Sequence, residues 1–136
     1  MKTKYRSLKT GILQGIRVLD LSRMLSGPYA TMLLADHGAE VIKIESSEGD
    51  TSRRSGPFKE SDKKKEWSGY FVSLNRNKKS INLNLKTKVD LVFLKKLIKK
   101  SDVLVENFRP GVMKRLGLSF DEVSKINSRI VYGSIS

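Results

Sequence analysis

Cysteine is missing from all 136 residues. That excludes disulfides and thiolate zinc sites and fits a reducing compartment. Histidine occurs once, as His37 beside Gly38. It reads as a helix-end residue, because the pattern supplies no partner carboxylate or nucleophile for it to serve as a base. Asp36 next to it reads as solvated or capping. No run approaches the roughly 18 apolar residues of a membrane span. The basic start MKTKYRSLKT is not followed by the apolar stretch of a signal peptide. Three common phosphate- or nucleophile-presenting motifs are also lacking. DLSRMLSGP has one glycine where a dinucleotide-binding turn needs three, and neither a P-loop nor a GxSxG elbow occurs. These gaps set the expectation of a soluble, cytoplasmic chain with no metal site and no permanently bound cofactor, the mitochondrial matrix being the alternative in a eukaryote.

What is abundant is positive charge. Lysine and arginine number 27 against 14 acidic residues, a formal net charge of +13, in a chain that is 38% hydrophobic and 30% charged. A surplus of that size favours nucleic acid, anionic lipid or a phosphate-rich small molecule. It is equally what lysine-rich solvated helix faces produce.

The chain alternates between strand and helix patterns. Residues 15–22 (GIRVLDLS) form a short apolar run with Ile16, Val18, Leu19 and Leu21, the mark of a buried strand. In SGPYATMLLADHGAE, Pro28 suits a first helical turn, residues 32–35 give an apolar face and Gly38 suits a C-cap. EVIKIE (40–45) predicts a second strand, which makes a βαβ unit with a parallel sheet. Residues 46–69 are charged, poor in apolar groups and long for a connection, hence functional or mobile. NRNKKS reads as a basic turn and INLNL (81–85) as an alternating strand. In residues 88–100, Val89, Val92, Phe93 and Leu97 fall on one helical face with lysines on the other. DVLVEN is another strand, SFDEVSKIN has Ser119 and Glu122 at capping-box spacing, and RIVYGSIS is the last strand. The order β-α-β-loop-β-α-β-α-β predicts a doubly wound, mostly parallel α/β fold. Residues 1–14 read as a basic extension and 15–136 as part of a single domain.

Ligands of such sheets sit outside the carboxyl ends of the strands. Those ends fall near residues 22–27, 45–49, 85–86 and 107–111, with Arg23, Lys86, Arg109 and Arg115 close by. Phe108, next to Asn107 and between guanidinium groups, suits an adenine ring carrying phosphates. Taken alone, the residues fit better a plug for the end of the sheet, with the arginines solvated.

Three blocks bear on that choice: GIRVLDLSRMLSGPYATMLLADHGAEVIKIE, NRNKKSINLNLK and SDVLVENFRPGVMKRLGL. In collinear order over residues 15–136 they resemble the N-terminal part of the class III CoA-transferases. That family includes formyl-CoA, carnitine and succinyl-CoA:glutarate CoA-transferases, with alpha-methylacyl-CoA racemase as a relative. The resemblance implies a Rossmann-like domain that binds CoA and a homodimer whose subunits interlock like links of a chain. It implies CoA contacts from Leu25 and Ser26, from Leu83, Asn84, Leu85 and Lys86, from Asn107, Phe108 and Arg109, and from Arg115. Phe108 would lie against adenine and Arg115 near phosphate. Acyl-CoA and a carboxylic acid would be the substrates, with no membrane partner. Where relatives often carry a basic residue or proline after KIE, this chain has Ser46 and Ser47, which weakens the case for a phosphate contact there. The basic stretch 53–65 is a candidate to compensate.

Family members are much longer. Their catalytic aspartate, which forms a mixed anhydride with the acyl group, lies beyond the strand matching RIVYGSIS, and so does the glycine-rich loop that shields it. In this numbering the resemblance places that aspartate beyond Ser136. The expectation is therefore no catalytic residue within residues 1–136, an inactive chain when alone, and marginal stability from an unpaired sheet edge. Two alternatives remain. An acyl-CoA racemase is disfavoured by the long segment before the third strand. A nucleic-acid-binding module is disfavoured because the cations are scattered and match no recognition pattern.

Overall fold

A computed structural model describes residues 11–65 and 67–135. Five strands alternate with helices: β1 (Arg17–Asp20), α1 (Ser26–Asp36), β2 (Glu40–Glu45), a 3-10 turn (Thr51–Arg54), α2 (Gly69–Asn75), β3 (Lys78–Asn82), α3 (Lys88–Ile98), β4 (Val103–Glu106), α4 (Val112–Arg115), α5 (Phe120–Ile126) and β5 (Val131–Ser134). The strands form one sheet in the order β3-β2-β1-β4-β5, and every pairing is parallel. Strand order therefore reverses between β1 and β4, which is the topological switch point of a Rossmann-like sheet.

The central strand is deeply buried, with Val18, Leu19 and Asp20 all inaccessible, because a parallel sheet is covered on both faces. On one face Val18, Val41 and Val105 pack with Ala35 of α1. On the other, Leu19, Ile44 and Leu104 pack with Leu94 and Ile98 of α3, Met113 of α4 and Val123 of α5. Gly27 in α1 has a steric reason, since a Cβ there would sit inside the space of the Ser22 side chain. Gly38 ends the α1 region at φ 101°, a left-handed geometry that favours glycine. The Ser119–Glu122 capping box is present at the start of α5.

Several sequence expectations shift. Within the turn at 12–15, Leu13 N–H donates to the His37 carbonyl at 3.0 Å and its side chain joins the α1 core. Residues 1–10 of the expected extension lie outside the described residues. So does Ser136, the residue beyond which the catalytic aspartate is expected; the last strand, read as RIVYGSIS, is described as β5 and ends at Ser134. The third strand runs from Lys78, through the expected basic turn, to Asn82 instead of covering 81–85. It is an edge strand paired only with β2, whose last residue, Glu45, meets Asn82, so Leu83 onward peels away from the sheet. Residues 69–75 form α2, capped by Ser68 Oγ accepting from Phe71 N–H at 3.0 Å.

The helix at 88–98 turns a different face inward. Val89, Val92 and Phe93 are 78%, 54% and 47% exposed, whereas Leu94 and Ile98 are fully buried and Leu91 and Leu97 flank them. Two apolar stripes lie side by side on this helix, and the one with leucine at i, i+3 and i+6 fits the sheet.

Candidate functional site

The carboxyl ends of β1, β2, β3 and β4 surround a cavity of about 200 Å³. Leu21, Ile44 and Leu83 form its apolar floor, and Leu85, Val112 and Leu116 form walls. Asn84, Lys86, Ser46 and Arg23 stand at the polar margin, and Phe108 closes one side. The Arg23 guanidinium lies 5.6 Å from the Phe108 ring centroid, within cation–π reach.

The turn that presents Phe108 is held by its neighbours. Glu106, buried at the end of β4, accepts from Phe108 N–H at 2.8 Å and from Ser134 Oγ at 2.5 Å. Asn107 does not face the cavity. Its Oδ1 accepts from Arg23 N–H and its Nδ2 donates to the Arg23 carbonyl, both at 2.8 Å. This two-point staple joins the turn after β1 to the turn after β4 across the switch point. Gly111, at φ 82°, N-caps α4, and the exposed Arg115 side chain lies over it.

Beneath these turns lies a layer of buried charge. Asp20 accepts from Thr31 Oγ1 at 2.6 Å, Lys78 Nζ at 2.9 Å, Ser22 N–H at 2.9 Å and the Ser22 hydroxyl. Burial pulls the Lys78 amine below the ordinary lysine range despite its pairing with Asp20. Lys43, on β2, donates to the Ser22 carbonyl at 2.9 Å and pairs with Asp50 Oδ2 at 2.9 Å, both side chains being almost fully buried. Asp50 Oδ1 also accepts from Met24 N–H at 3.3 Å and from Ser52 N–H at 3.0 Å. Met24 holds a left-handed backbone at φ 68°, a conformation of limited stability for a side-chain-bearing residue. The Asp50 carboxylate therefore fixes the turn that leads into α1.

Glu45 ends β2 and receives four hydrogen bonds: Arg53 Nε at 2.8 Å, Arg53 Nη2 at 2.7 Å, Ser80 Oγ at 2.6 Å and Asp50 N–H at 2.9 Å. Burial pushes its pKa up, but these donors prevail and bring it down to about 2. The Arg53 guanidinium also sits 3.6 Å from the Phe71 ring centroid.

Of the sequence candidates, Leu83, Asn84, Leu85, Lys86 and Phe108 line the cavity together. Asn107 acts as the staple. Leu25, Ser26, Arg109 and Arg115 are exposed and lie outside the lining. Arg23 belongs in the set and was recognisable only as the first cation after β1. Lys43 and Asp50 were missed. The signal for Lys43 was a lysine inside an apolar strand pattern, since a buried lysine requires a partner. Nothing in residues 46–69 marked Asp50 as that partner. Among the described residues, no cluster of three or more histidine or acidic side chains could hold a metal, and no helix is long and apolar enough to cross a membrane.

Comparison with known proteins follows this geometry. The family model described as CoA-transferase family III matches residues 13–136. The chain is 50% identical over 123 residues to formyl-CoA:oxalate CoA-transferase of Streptomyces coelicolor, covering 90% of this chain and 29% of that protein. It is 46% identical over 126 residues to succinyl-CoA:glutarate CoA-transferase of Mus musculus, covering 91% and 28%. A crystal structure of a CAIB/BAIF family protein from Brucella suis superposes with a TM-score of 0.85 at 36% identity, over 93% of this chain and 33% of that one. The chain thus spans less than a third of the length of the curated relatives it matches.

Proposed function

Because the chain belongs to CoA-transferase family III, we propose that it supplies the CoA-holding part of an enzyme moving CoA from an acyl-CoA to a carboxylic acid. The observation that carries this reading is the cavity at the switch point, with Phe108 on one side and Arg23 and Lys86 at its margin. Its volume of about 200 Å³ is below the roughly 300–1,000 Å³ of pockets that enclose a whole drug-sized ligand. It therefore takes the nucleobase end of CoA and leaves the rest of the molecule running over the strand ends. Adenine lies against Phe108, where stacking contributes about 1–3 kcal/mol per base by analogy with single-strand binders. Lys86 and the exposed Arg115 are placed to meet phosphate oxygens. Asn107 and Glu106 position this shelf without touching the ligand.

The acyl-transfer step of this proposal runs through an enzyme carboxylate that attacks the thioester carbonyl, releases the CoA thiolate and forms a mixed anhydride. We assign that carboxylate to no residue described here. Asp20, Glu45, Asp50 and Glu106 are buried and each is committed to structural hydrogen bonds, so none is free to act as a nucleophile. The aspartate expected from the family beyond Ser136, the shielding loop and the interlocked second subunit are parts of the same proposal. Relatives act on oxalate and glutarate by name, and an acid of that kind is the acceptor we propose.

The test is calorimetric titration of the 136-residue chain with CoA, followed by competition with free 3′,5′-ADP. Phe108→Ala should weaken binding severalfold with the circular dichroism spectrum unchanged. Unaltered affinity in a folded variant would refute the role.

A further inference from the structure

The chain has no cysteine, so its sulfur chemistry falls to methionine. Three methionines lie among the described residues. Met32 and Met113 are buried, 2% and 7% exposed, whereas Met24 is 44% exposed in the turn after β1. A thioether in contact with water is open to peroxide, and a buried one must wait for local opening.

Met24 is held in three ways. Its backbone stays at φ 68°, a costly region for a residue with a side chain. Its N–H donates to Asp50 Oδ1 at 3.3 Å, longer than the usual bond of about 2.9–3.0 Å. Its sulfur accepts from Thr51 Oγ1 at 2.9 Å. Thr51 follows Asp50 and opens the 3-10 turn, so the backbone and side chain of Met24 lean on the same short segment. The residue before it, Arg23, is stapled to Asn107 and faces the Phe108 ring.

We propose that Met24 is an oxidation site, converted by hydrogen peroxide to the sulfoxide, and that this conversion releases the turn after β1. The sulfur lone pair attacks one peroxide oxygen and the O–O bond breaks. The proton of the transferred oxygen passes to the departing hydroxide, which leaves as water, and sulfur has given up two electrons. The added oxygen enlarges and polarises the group that Thr51 touches, so Thr51 and its neighbour Asp50 must shift. The long bond from Met24 N–H to Asp50 is a poor restraint on a strained backbone; it gives way and Arg23 moves with the turn. A consequence for CoA rests on the transferase reading above; the oxidation and the loosened turn rest on the geometry of Met24 alone.

Peroxide treatment of the 136-residue chain, followed by peptide mass spectrometry, reads the first part. Met24 and Met32 share one tryptic peptide, from Met24 to Lys43, and are separated by fragmentation. Met24 should oxidise at least about tenfold faster than Met32 and Met113, which require local opening. Thermal melts read the second part. Oxidation should lower the melting temperature by a few degrees, the size expected from losing one hydrogen bond, and methionine sulfoxide reductase with a dithiol should restore it. Met24→Leu, of similar volume but without sulfur, should keep its own melting temperature through the same treatment. Comparable rates at the three methionines, an unchanged melting temperature once Met24 is oxidised, or an equal fall in Met24→Leu overturns the inference. Calorimetry with CoA on the same samples keeps the two proposals apart. An untreated chain that fails to bind CoA strikes the transferase reading alone, whereas CoA bound equally before and after oxidation strikes the link from Met24 to the cavity.

Discussion

Lys43 places an ammonium group in a buried layer and finds two acceptors there, the Ser22 carbonyl and the Asp50 carboxylate. Taking one partner away from such a pair leaves an uncompensated charge, which costs about 3–5 kcal/mol, whereas replacing both with apolar groups is often close to neutral. Lys43→Met should therefore lower stability by several kcal/mol in a denaturant titration, and Lys43→Met with Asp50→Leu should recover part of the loss. A single variant as stable as the parent would remove the pair from any structural role. Asn107→Ala deletes the staple to Arg23 and leaves a backbone donor and acceptor to find water, a loss of about 1–3 kcal/mol. Weaker CoA binding should accompany it, because Arg23 is then free to move away from Phe108. At this scale the sequence was legible where a residue's own chemistry points to its place, as with Phe108 and Lys86, which line the cavity. It was illegible where the action depends on a distant partner. Asp50 sits in a charged segment whose composition gives no hint that one carboxylate turns inward.

Elements show the same division in their faces. The period of the 88–98 segment correctly predicts a helix, yet its apolar residues are too numerous to name the buried stripe, and the leucine stripe wins because it meets the sheet. Leu94→Ala should cost about 2–5 kcal/mol, while Val92→Gln should change stability by no more than about 0.5 kcal/mol; paired thermal melts check the ranking. The edge strand was displaced from its expected position because alternation in INLNL continues past the point where β2 ends and partners run out. The connection after β2 is tied to the sheet through Glu45, whose folded pKa of about 2 lies below the ordinary value of 4.5. Its ionised form is therefore favoured by folding. The stabilisation is fully present above about pH 4.5 and is lost as the pH falls through about 2, with an upper size of roughly 3 kcal/mol. Glu45→Gln should flatten the acid limb of a stability–pH curve across that window and leave its neutral part lowered.

For the molecule as a whole, the all-parallel 3-2-1-4-5 order follows the regular alternation of strand and helix read from the sequence. The grouping of cavity residues does not, since it depends on four strand ends far apart along the chain. The net charge of +13 has a physical consequence at this scale. Cations outnumber acids so far that self-repulsion outweighs the few exposed ion pairs, and salt screens it. The melting temperature should rise from low to physiological ionic strength, and a fall would mean that the exposed pairs dominate. Among the described residues, the sheet's end strands, β3 and β5, each pair on one side only. The switch point also sets a timetable for synthesis. β1 pairs with β2 soon after both emerge, but its other neighbour, β4, begins at Val103, and Val18 must wait for that residue as its partner. At ordinary translation speed the wait is on the order of several seconds. Throughout it, one side of the central strand and the unfinished floor of the cavity stand open on the ribosome, so this interval is when a nascent chain most needs a chaperone's cover.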